Sequence, residues 1–412
     1  MYSIEYPGEK RGYVLTLKKC KKIIKETARH ILYLKNKKSY KYQVNSEVVT
    51  ICPIERNDEK EFFYGYYDKS PECNGKILFH EMDSEHVNII VKSLEDGTES
   101  IIGSSIAFNW QMGARTIWIT DDIVSYNDFD GQKYVSKWYS LSKKKIVRTI
   151  ALPTMDIVEG KYILSPNFQR LQIIDPCYAY KNQPIPTDEQ ILDYNHDGIW
   201  VYDLEKDEKR LLVSISDILN CSKESVHNGG YHGLNHIMVS PDGDGFVFIH
   251  RCRSGCERYD RLMLYDFKNG GKLSCLLDGK LQSHFCWIDN KTVFGYGERD
   301  NNIGFYKVDI NTKQSRLCEE VTKCHPRDGH PTVSGDWVVI DSYPDLSRMQ
   351  SIIAYNHKTN EIIKLGEFFH DMKHAVYTRC DLHPRFNETG DKIYVDTLFS
   401  GKRELCSIKV KL

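Results

Sequence analysis

Four histidines recur at nearly equal intervals in the second half of this chain, and imidazole is a side chain that binds metal ions and transfers protons. They are His236, His284, His330 and His383, separated by 48, 46 and 53 residues. A repeat of this length with strand–turn–strand content is typical of the blades of a β-propeller. A histidine at one fixed place in successive blades would bring several imidazoles to the central axis, which predicts a metal site or an acid–base site.

The distance to the next turn glycine supports this equivalence. His236, His383 and Asp68 each lie seven residues before such a glycine. Equal offsets predict equivalent positions on the inner strands of three blades, and those strands line the central channel. His330 and His383 each precede a proline, which disfavours helix and fits the start of an extended strand.

Neutral imidazoles that converge from several strands suit a divalent ion such as Mn²⁺, Zn²⁺ or Fe²⁺. The alternative for each histidine is a hydrogen bond to a buried polar partner near the axis. Four histidines in register favour a metal or catalytic cluster, in which one of them could be a base and not a ligand.

Other side chains near these histidines could bind an anionic substrate. Guanidinium groups bind carboxylates with paired hydrogen bonds, although arginines at strand edges also form ordinary salt bridges. Tyr66, Tyr67 and Asp68 are candidates for an acid, a stacking platform or a ligand, and core packing is the alternative for the two tyrosines. The four arginines close to the repeats are Arg170, Arg251, Arg379 and Arg385.

A glycine-rich stretch, residues 228–235, precedes His236. It lacks the Gly-Lys-Ser/Thr ending of a phosphate loop. We expect a flexible lip over the channel mouth, from which His232 could reach the site. The sequence also lacks a Gly-x-Ser-x-Gly motif and a dinucleotide fingerprint after a strand.

The elements that must position these residues are strands, and the fold class predicted for residues 46–412 is an all-β, seven-bladed β-propeller. Six blades would fit if the second and third were divided differently. Residues 48–52 form a short strand that could complete the last blade and close the ring, which removes exposed sheet edges. A long insertion is expected around residues 175–197, inside the third blade.

Residues 1–45 are predicted to be a basic helical extension. In residues 13–34 the apolar positions step by three and four, with lysines on the opposite face: Leu17, Cys20, Ile24, Ala28 and Ile31. A basic amphipathic helix can lie on an anionic membrane surface. The alternative is that the helix packs against the propeller and its lysines are only solvated.

Composition indicates which partners and which cellular compartment to expect for the protein. The 412 residues carry a net charge of −1, so nothing in the overall charge calls for nucleic acid. The N-terminus lacks the apolar core of a signal peptide, and no run approaches 18 apolar residues. The thirteen cysteines are odd in number and irregularly spaced. We therefore expect reduced thiols and a cytoplasmic protein, with peripheral contact at the inner membrane face as a further expectation.

Several short phrases resemble those of the propeller-type polysaccharide lyases, such as the oligogalacturonate and ulvan lyases. The phrases are residues 66–71 (YYDKSP), 167–170 (NFQR), 236–251 and 381–386 (DLHPRF). The resemblance is distant and spreads over about residues 60–412. Similar propellers occur in bacterial surface-polysaccharide (capsular) gene clusters, where they are often labelled glycosyltransferases.

The resemblance implies a divalent ion, typically Mn²⁺, held near the axis by three histidines and a glutamine. His284 and His383 match two of the family's histidine phrases, and His330 is the candidate for the third. The family's last-blade phrase reads His-Pro-His-Pro, whereas this chain has Asp381-Leu382-His383-Pro384, so Asp381 replaces one ligand and no glutamine ligand is evident. The resemblance also implies a base and a carboxylate partner, for which we expect His236 and Arg251.

The implied reaction is β-elimination on a uronic acid. A cation stabilises the charge that develops when the C5 proton is removed, a base takes the proton and an acid assists the leaving sugar. The residues expected to be catalytic are His236, Arg251, Tyr67 and Arg170. Those expected to bind an acidic oligosaccharide or polysaccharide are Tyr66, Asp68, His232, Arg379 and Arg385, and those expected to bind the metal are His284, His330, His383 and Asp381.

Two other functions remain open from the sequence. One is a non-catalytic propeller that binds glycan or protein partners in surface-polysaccharide biosynthesis. The other is a glycosyltransferase, although such enzymes usually use α/β nucleotide-binding folds and no βαβ alternation is present. A lyase would have a histidine cluster that is open to a pocket, whereas a scaffold would have a plugged axis with each histidine hydrogen-bonded to its neighbours.

Overall fold

Seven antiparallel sheets make up the computed structural model, which describes residues 26–56, 59–221, 230–254, 257–268 and 270–412. Five of the sheets have four strands and two have a fifth. The prediction of an all-β, seven-bladed propeller is confirmed, and the six-bladed division is not the one observed.

The first four blades follow each other along the chain. Blade one contains β3 (Phe62–Phe63), β4 (Glu72–Cys73), β5 (Lys76–Asp83), β6 (His86–Ser93) and β7 (Glu99–Ser105). Blade two contains β8 (Ile117–Trp118), β9 (Ile123–Phe129), β10 (Tyr134–Ser140) and β11 (Lys145–Ile150). Blade three contains β12 (Asp156–Val158), β13 (Tyr162–Pro166), β14 (Gly198–Asp203) and β15 (Glu208–Ser214). Blade four contains β16 (Tyr231–Val239), β17 (Gly245–Ser254), β18 (Glu257–Asp266) and β19 (Lys272–Gly279).

The remaining blades carry the later histidines. Blade five contains β20 (Gln282–Trp287), β21 (Thr292–Arg299), β22 (Asn302–Asp309) and β23 (Ser315–Leu317). Blade six contains β24 (Pro331–Ser334), β25 (Trp337–Asp341), β26 (Met349–Asn356), β27 (Ile362–Phe369) and β1 (Tyr42–Val44). Blade seven contains β28 (Arg385–Phe386), β29 (Lys392–Thr397), β30 (Glu404–Val410) and β2 (Val49–Pro53). The helices are α1 (26–36), α2 (Leu171–Ile174), α3 (Asp188–Leu192), α4 (Ile215–Asn220) and α5 (Glu319–Cys324).

The ring closes through a strand from the N-terminal side of the propeller. β2 pairs with β30, with Ile51 opposite Ile408, so the outer strand of the last blade precedes the first blade in sequence. The predicted closing strand at residues 48–52 is therefore confirmed. Closure in this way joins both ends of the ring by backbone hydrogen bonds.

The strands consist of runs of apolar residues, because both faces of each sheet pack against neighbouring blades. The first eight residues of β17 are all buried. In blades three, four and five an aspartate caps the turn after the third strand; in blade five, Asp309 accepts hydrogen bonds from the backbone N–H groups of Asn311 and Thr312 at 3.0 and 2.7 Å. The third strands β14, β18 and β22 all end in an aspartate.

The N-terminal extension is partly described. Residues 26–36 form α1, and the rest of the predicted helix, residues 13–25, lies outside the described residues. β1 adds to the edge of β27, with Gln43 opposite Glu367, so the sheets of the propeller already include residue 42 and not only residues from 46 onward. Among the described residues, no helix combines the length and the apolar character needed to cross a bilayer.

Two segments near the axis were predicted with different success. The insertion is confirmed, since α2 and α3 lie between β13 and β14 and the segment brings Tyr178 to the axis. The predicted lip over the channel mouth is wrong for residues 231–235, which form the start of β16 and are paired with β17. Residues 228 and 229 lie outside the described residues.

Candidate metal centre and active site

The four repeated histidines converge on the propeller axis. Ring centroids lie 5.2 Å apart between His236 and His284, 4.0 Å between His284 and His330, and 4.2 Å between His330 and His383. Each residue is at most 3% exposed. His236 and His284 lie within the innermost strands β16 and β20, whereas His330 and His383 lie just before β24 and β28. The register predicted from the repeat therefore brings the four imidazoles together.

Two of these histidines have an unusual backbone conformation. His236 has a φ of 54° and His383 a φ of 45°, which lie in the left-handed region that non-glycine residues adopt infrequently. At His236 the ladder between β16 and β17 is interrupted by a register shift between Asn235 and Met238. Such shifts re-aim a side chain, and backbone strain is often retained at functional sites.

Carboxylates fix the orientation of two of the rings. Nδ1 of His330 lies 2.9 and 3.0 Å from the two oxygens of Asp341, and Nδ1 of His284 lies 3.2 Å from Asp328. Histidines that bind metal ions commonly donate the other ring N–H to a carboxylate in this way. The arrangement leaves Nε2 of His330 pointing away from its carboxylate.

The charges around these rings shift their pKa values in different directions. Burial alone would lower the pKa of His330, but the Asp341 carboxylate more than compensates and the pKa is raised. Burial and the neighbouring His330 lower the pKa of His383 well below its usual value. Burial alone would raise the pKa of Asp328, but His284 and Ser283 hold it at about 2. Asp328 is therefore a carboxylate at neutral pH.

Three of the axial imidazoles have a buried Nε2 without a hydrogen-bond partner: His236, His330 and His383. A buried polar atom without a partner is costly and calls for an explanation. Donor atoms of His330, His383 and Asp381 lie within 4.8 Å of one another. Two imidazoles and a carboxylate are a donor set that suits a divalent transition-metal ion, so these residues fit the predicted metal.

Of the four predicted metal ligands, His284 is the one outside this group. It lies beside His330, but its Nε2 already has the hydroxyl of Tyr178 at 3.3 Å as a partner. Asp381 belongs to the group, although Arg379 binds it at both oxygens with distances of 2.6–2.8 Å. The side chain of Arg379 reaches solvent and is 28% exposed.

The two tyrosines of the first blade contact the histidines directly. The Tyr66 hydroxyl pairs with Nδ1 of His236, and the two rings are nearly parallel at 5.5 Å. The Tyr67 hydroxyl donates to the carbonyl of Phe285 at 2.8 Å and accepts from its N–H at 3.1 Å. Because the hydroxyl of Tyr67 is occupied by β20, the predicted catalytic role for Tyr67 does not agree with its contacts.

Arg385 is buried beneath the tyrosines and does not face a substrate. It donates to the carbonyls of Gly65 and Tyr66 and to Asp396, which in turn accepts the backbone N–H of Tyr64 and of Gly65. Gly65 has a φ of 113°, and a Cβ there would lie 2.6 Å from the carbonyl carbon of Met112. The predicted substrate-binding role for Arg385 is thus replaced by a positioning role for the tyrosine segment.

Asp68 is also committed to a buried pair. Its two oxygens accept from Arg115 at 2.6 and 2.5 Å, and both side chains are almost fully buried. The guanidinium of Arg115 lies 5.6 Å from the centre of the Tyr66 ring. A substrate-binding role for Asp68 does not agree with this pairing.

Two further predicted residues lie in a separate polar cluster. All five N–H groups of Arg170 have protein acceptors, namely Asp197 and the carbonyls of Gln190, Ile191, Asp193 and His232. His232 is fully buried and its Nδ1 lies 3.0 Å from Nε2 of His250. Arg170 therefore has no donor left for a substrate, and the expected roles of Arg170 in catalysis and of His232 in binding substrate are corrected to structural ones.

Arg251 is the predicted catalytic arginine that does reach the axial site. It pairs with Asp260 at 3.0 Å and with Asp175 at 3.1 Å. After burial, its charge is the largest influence that lowers the pKa of His236. His236 is therefore neutral at physiological pH.

Sequence reasoning missed several members of the site. These are Tyr178, Asp328, Asp341 and Tyr343, whose hydroxyl lies 3.4 Å from Asp328 and whose ring lies 5.8 Å from His330. One signal was available for Asp328, because Asp328-Gly329-His330 has the same Asp-x-His spacing as Asp381-Leu382-His383. Tyr178 and Tyr343 lie in loops that are not part of the sequence repeat, so the repeat could not predict their positions.

The axis is nearly sealed by side chains. Among the described residues of the site, the half-buried side chains that reach solvent include Arg379, Asp175, Asp328 and Tyr343. This packing is what we expect of the non-catalytic alternative. The three Nε2 atoms without partners are not expected of that alternative, because a scaffold would have each histidine hydrogen-bonded to its neighbours.

No family model and no curated protein matches the sequence. Among solved structures, an oligogalacturonate lyase from Vibrio parahaemolyticus is 14% identical, with a TM-score of 0.57 over 90% of this chain and 96% of that chain. An oligogalacturonate lyase in complex with manganese is 12% identical, with a TM-score of 0.60 over the same shares. At these identities the similarity concerns the architecture: the chain has the propeller fold of these lyases over most of its length.

Proposed function

We propose that this protein is a carbohydrate-active β-propeller that cleaves uronic-acid-containing glycan by metal-assisted β-elimination. One observation supports the proposal most: His330 and His383 each have a partnerless Nε2, and a ring nitrogen of each lies within 4.8 Å of a carboxylate oxygen of Asp381. The shared fold of the two oligogalacturonate lyases adds support, and the manganese in one of them indicates the kind of ion.

His330, His383 and Asp381 would hold the divalent ion, for which Mn²⁺, Zn²⁺ and Fe²⁺ are the candidates. When bound, the ion would supply positive charge to the substrate carboxylate and so acidify the C5 proton. The remaining steps depend on side chains of the chain itself.

His284 has the arrangement expected of the base. Asp328 accepts a hydrogen bond from the Nδ1–H group of His284, so the lone pair of the neutral imidazole is on Nε2. Burial and the neighbouring His330 lower the pKa of His284, so the ring is neutral at physiological pH. His236 was the base expected from the sequence, but its Nδ1 pairs with a tyrosine hydroxyl and not with a carboxylate, which fixes the tautomer less firmly.

Tyr178 is the group that could protonate the leaving sugar. Its hydroxyl lies 3.3 Å from Nε2 of His284, and burial raises its pKa well above the usual value, so that it keeps its proton at neutral pH. Arg379 and Arg251 would bind carboxylates of an acidic oligosaccharide, since both lie at the site and Arg379 reaches solvent. A substrate would have to displace the side chains at this rim.

The sealed axis favours a second candidate function, a propeller that binds glycan or a protein partner without catalysis. For either function we propose a bacterial cytoplasmic setting in surface-polysaccharide (capsular) metabolism. The described cysteines are all free thiols, which supports a reducing compartment.

The metal content of the purified protein tests the proposal. Plasma mass spectrometry of the wild type should find about one Mn, Zn or Fe ion per chain, and none in His330→Ala or His383→Ala. The exposed His196→Ala is the matched control and should keep the ion. Circular dichroism would verify that each variant is folded.

An activity assay then separates the two candidate functions. Elimination creates a conjugated double bond that absorbs near ~232 nm, so acidic polysaccharides can be screened directly. Product formation that is lost in His284→Ala supports the lyase. Bound metal without product from any acidic glycan supports the binding propeller, and absence of metal under all growth supplements contradicts the metal centre.

A further inference from the structure

The helix α1 lies on the outside of the propeller with little cover. Ten of the eleven described residues of this helix are exposed, and Tyr33 is the half-buried one. The ring of Tyr33 lies 6.1 Å from that of Phe369, at the end of β27. A few residues later β1 joins the edge of the same strand, which ties the helix to blade six.

The exposed surface of α1 is apolar where solvent would favour polar residues. Ile31, Leu32 and Leu34 are 48%, 40% and 58% exposed. Ala28 and Ile31, two members of the apolar stripe predicted from the sequence, are both exposed. The alternative in which this stripe packs against the propeller is therefore not the arrangement of the described residues.

Basic residues surround these apolar side chains. They are Arg29, Lys35, Lys37, Lys38 and Lys41, against one acidic residue, Glu26, in residues 26–41. Large apolar side chains within a basic helical segment are the combination that binds anionic lipid, because the chains enter the acyl boundary while the cations meet the headgroups. A protein partner would more commonly bury a patch with a polar rim of mixed charge.

The distribution of charge along the chain allows this contact. Residues 1–43 carry 12 Lys and Arg against 3 Glu, a net of +9, which leaves −10 on the rest of the chain. Repulsion between the acidic propeller and an anionic surface is screened beyond a Debye length of about 10 Å at 0.1 M salt. A helix on the outer edge of one blade can therefore approach the surface before the propeller body is repelled.

We propose that residues 26–38 bind the surface of an anionic lipid bilayer, with Ile31, Leu32 and Leu34 inserted and the flanking basic side chains at the headgroups. The propeller is then held peripherally at the membrane by its sixth blade. This attachment is independent of the chemistry at the axis.

Vesicle co-sedimentation of the full-length protein tests this proposal. The wild type should bind vesicles of phosphatidylcholine with phosphatidylglycerol but not phosphatidylcholine alone, and binding should weaken steeply as salt is raised. The double variant Ile31→Asp/Leu34→Asp should lose about tenfold or more in affinity. Lys37→Glu/Lys38→Glu should weaken binding while leaving the apolar residues in place.

Matched controls exist elsewhere on the surface. Ile101→Asp changes an apolar residue that is 65% exposed on β7, and Lys291→Glu/Lys313→Glu reverses two exposed charges on blade five. Both should bind like the wild type. Metal content should stay unchanged in every helix variant, so this test succeeds or fails separately from that of the proposed function.

Three outcomes would overturn the proposal. The first is a wild type that stays in the supernatant with anionic vesicles. The second is equal binding by Ile31→Asp/Leu34→Asp. The third is concentration-dependent self-association of the wild type that the same variant abolishes, without vesicle binding, since this would assign the helix to a second copy of the chain.

Discussion

Asp341 holds His330 at two points, because one carboxylate oxygen accepts both the backbone N–H of His330 at 2.7 Å and its ring Nδ1 at 2.9 Å. The other oxygen accepts the backbone N–H of His383 at 2.9 Å. One buried carboxylate at the end of β25 therefore aligns the two histidines whose Nε2 atoms lack partners.

Replacement of Asp341 by Asn should weaken metal binding by about 10–100-fold. The side-chain NH₂ of Asn would face the N–H donors of His330 and His383, and Asn would no longer fix the tautomer of the His330 imidazole. Isothermal titration with Mn²⁺ or Zn²⁺ would measure the change. The exposed Asp336→Asn, in the turn between β24 and β25, is the control. An unchanged affinity in folded Asp341→Asn would contradict the role of Asp341.

Removal of Arg379 should make the protein more dependent on a divalent ion. The Arg379→Ala variant leaves Asp381 buried without its cation, so the melting temperature should fall in the presence of a chelator. Addition of the ion should then raise the melting temperature more than in the wild type, since binding to the native state stabilises it. Differential scanning fluorimetry measures both melting temperatures, and the exposed Arg316→Ala is the control. An equal rise in melting temperature on addition of the ion to Arg379→Ala and to the wild type would show that Arg379 and the ion do not share Asp381.

Arg385 should matter for stability and not for substrate affinity. The Arg385→Met variant leaves Asp396 buried without a counter-ion, and loss of one partner of a buried pair costs about 3–5 kcal/mol. Urea unfolding should detect this loss, whereas the exposed Arg327→Met should unfold like the wild type. A fully stable Arg385→Met protein with reduced glycan binding would instead support the role that the sequence suggested.

His80 should contribute to loss of stability in acid. Burial lowers its pKa to about 4, and its Nε2 accepts the backbone N–H of Ala114 at 3.0 Å, so the folded protein holds the neutral ring. The unfolded chain binds the proton first, near its ordinary pKa of 6.5. The free energy of unfolding should therefore fall as the pH decreases from about 6.5 to about 4, with up to about 3 kcal/mol from this residue.

Urea titrations across this pH range would measure the His80 contribution. The loss should be smaller in His80→Gln, whose amide oxygen can accept the same N–H without titrating. The exposed His196→Asn should behave like the wild type. An identical pH dependence in His80→Gln would assign the acid sensitivity to other groups.

The repeat in the sequence was sufficient to predict the architecture. Blade length and turn chemistry are local properties, so the sequence was sufficient to assign the four histidines to the innermost parts of blades four to seven and to predict the closing strand β2. The equal offsets of His236 and His383 from their turn glycines correspond to the same left-handed backbone at both. Convergence of the histidines follows, because equivalent positions of a propeller meet at its axis.

The roles of individual polar side chains were decided by the tertiary structure. Arg170, Arg385 and Asp68 lie in phrases as suggestive as that of Arg251, but each of them is paired with a charged residue outside its own phrase, namely Asp197, Asp396 and Arg115. A buried charge needs a partner, and which charges pair depends on tertiary contacts that no short sequence phrase encodes. The sequence by itself determined the propeller and brought the four histidines to its axis; only the tertiary structure decided which of them keep a free nitrogen, because that depends on where Asp328, Asp341 and Tyr178 lie.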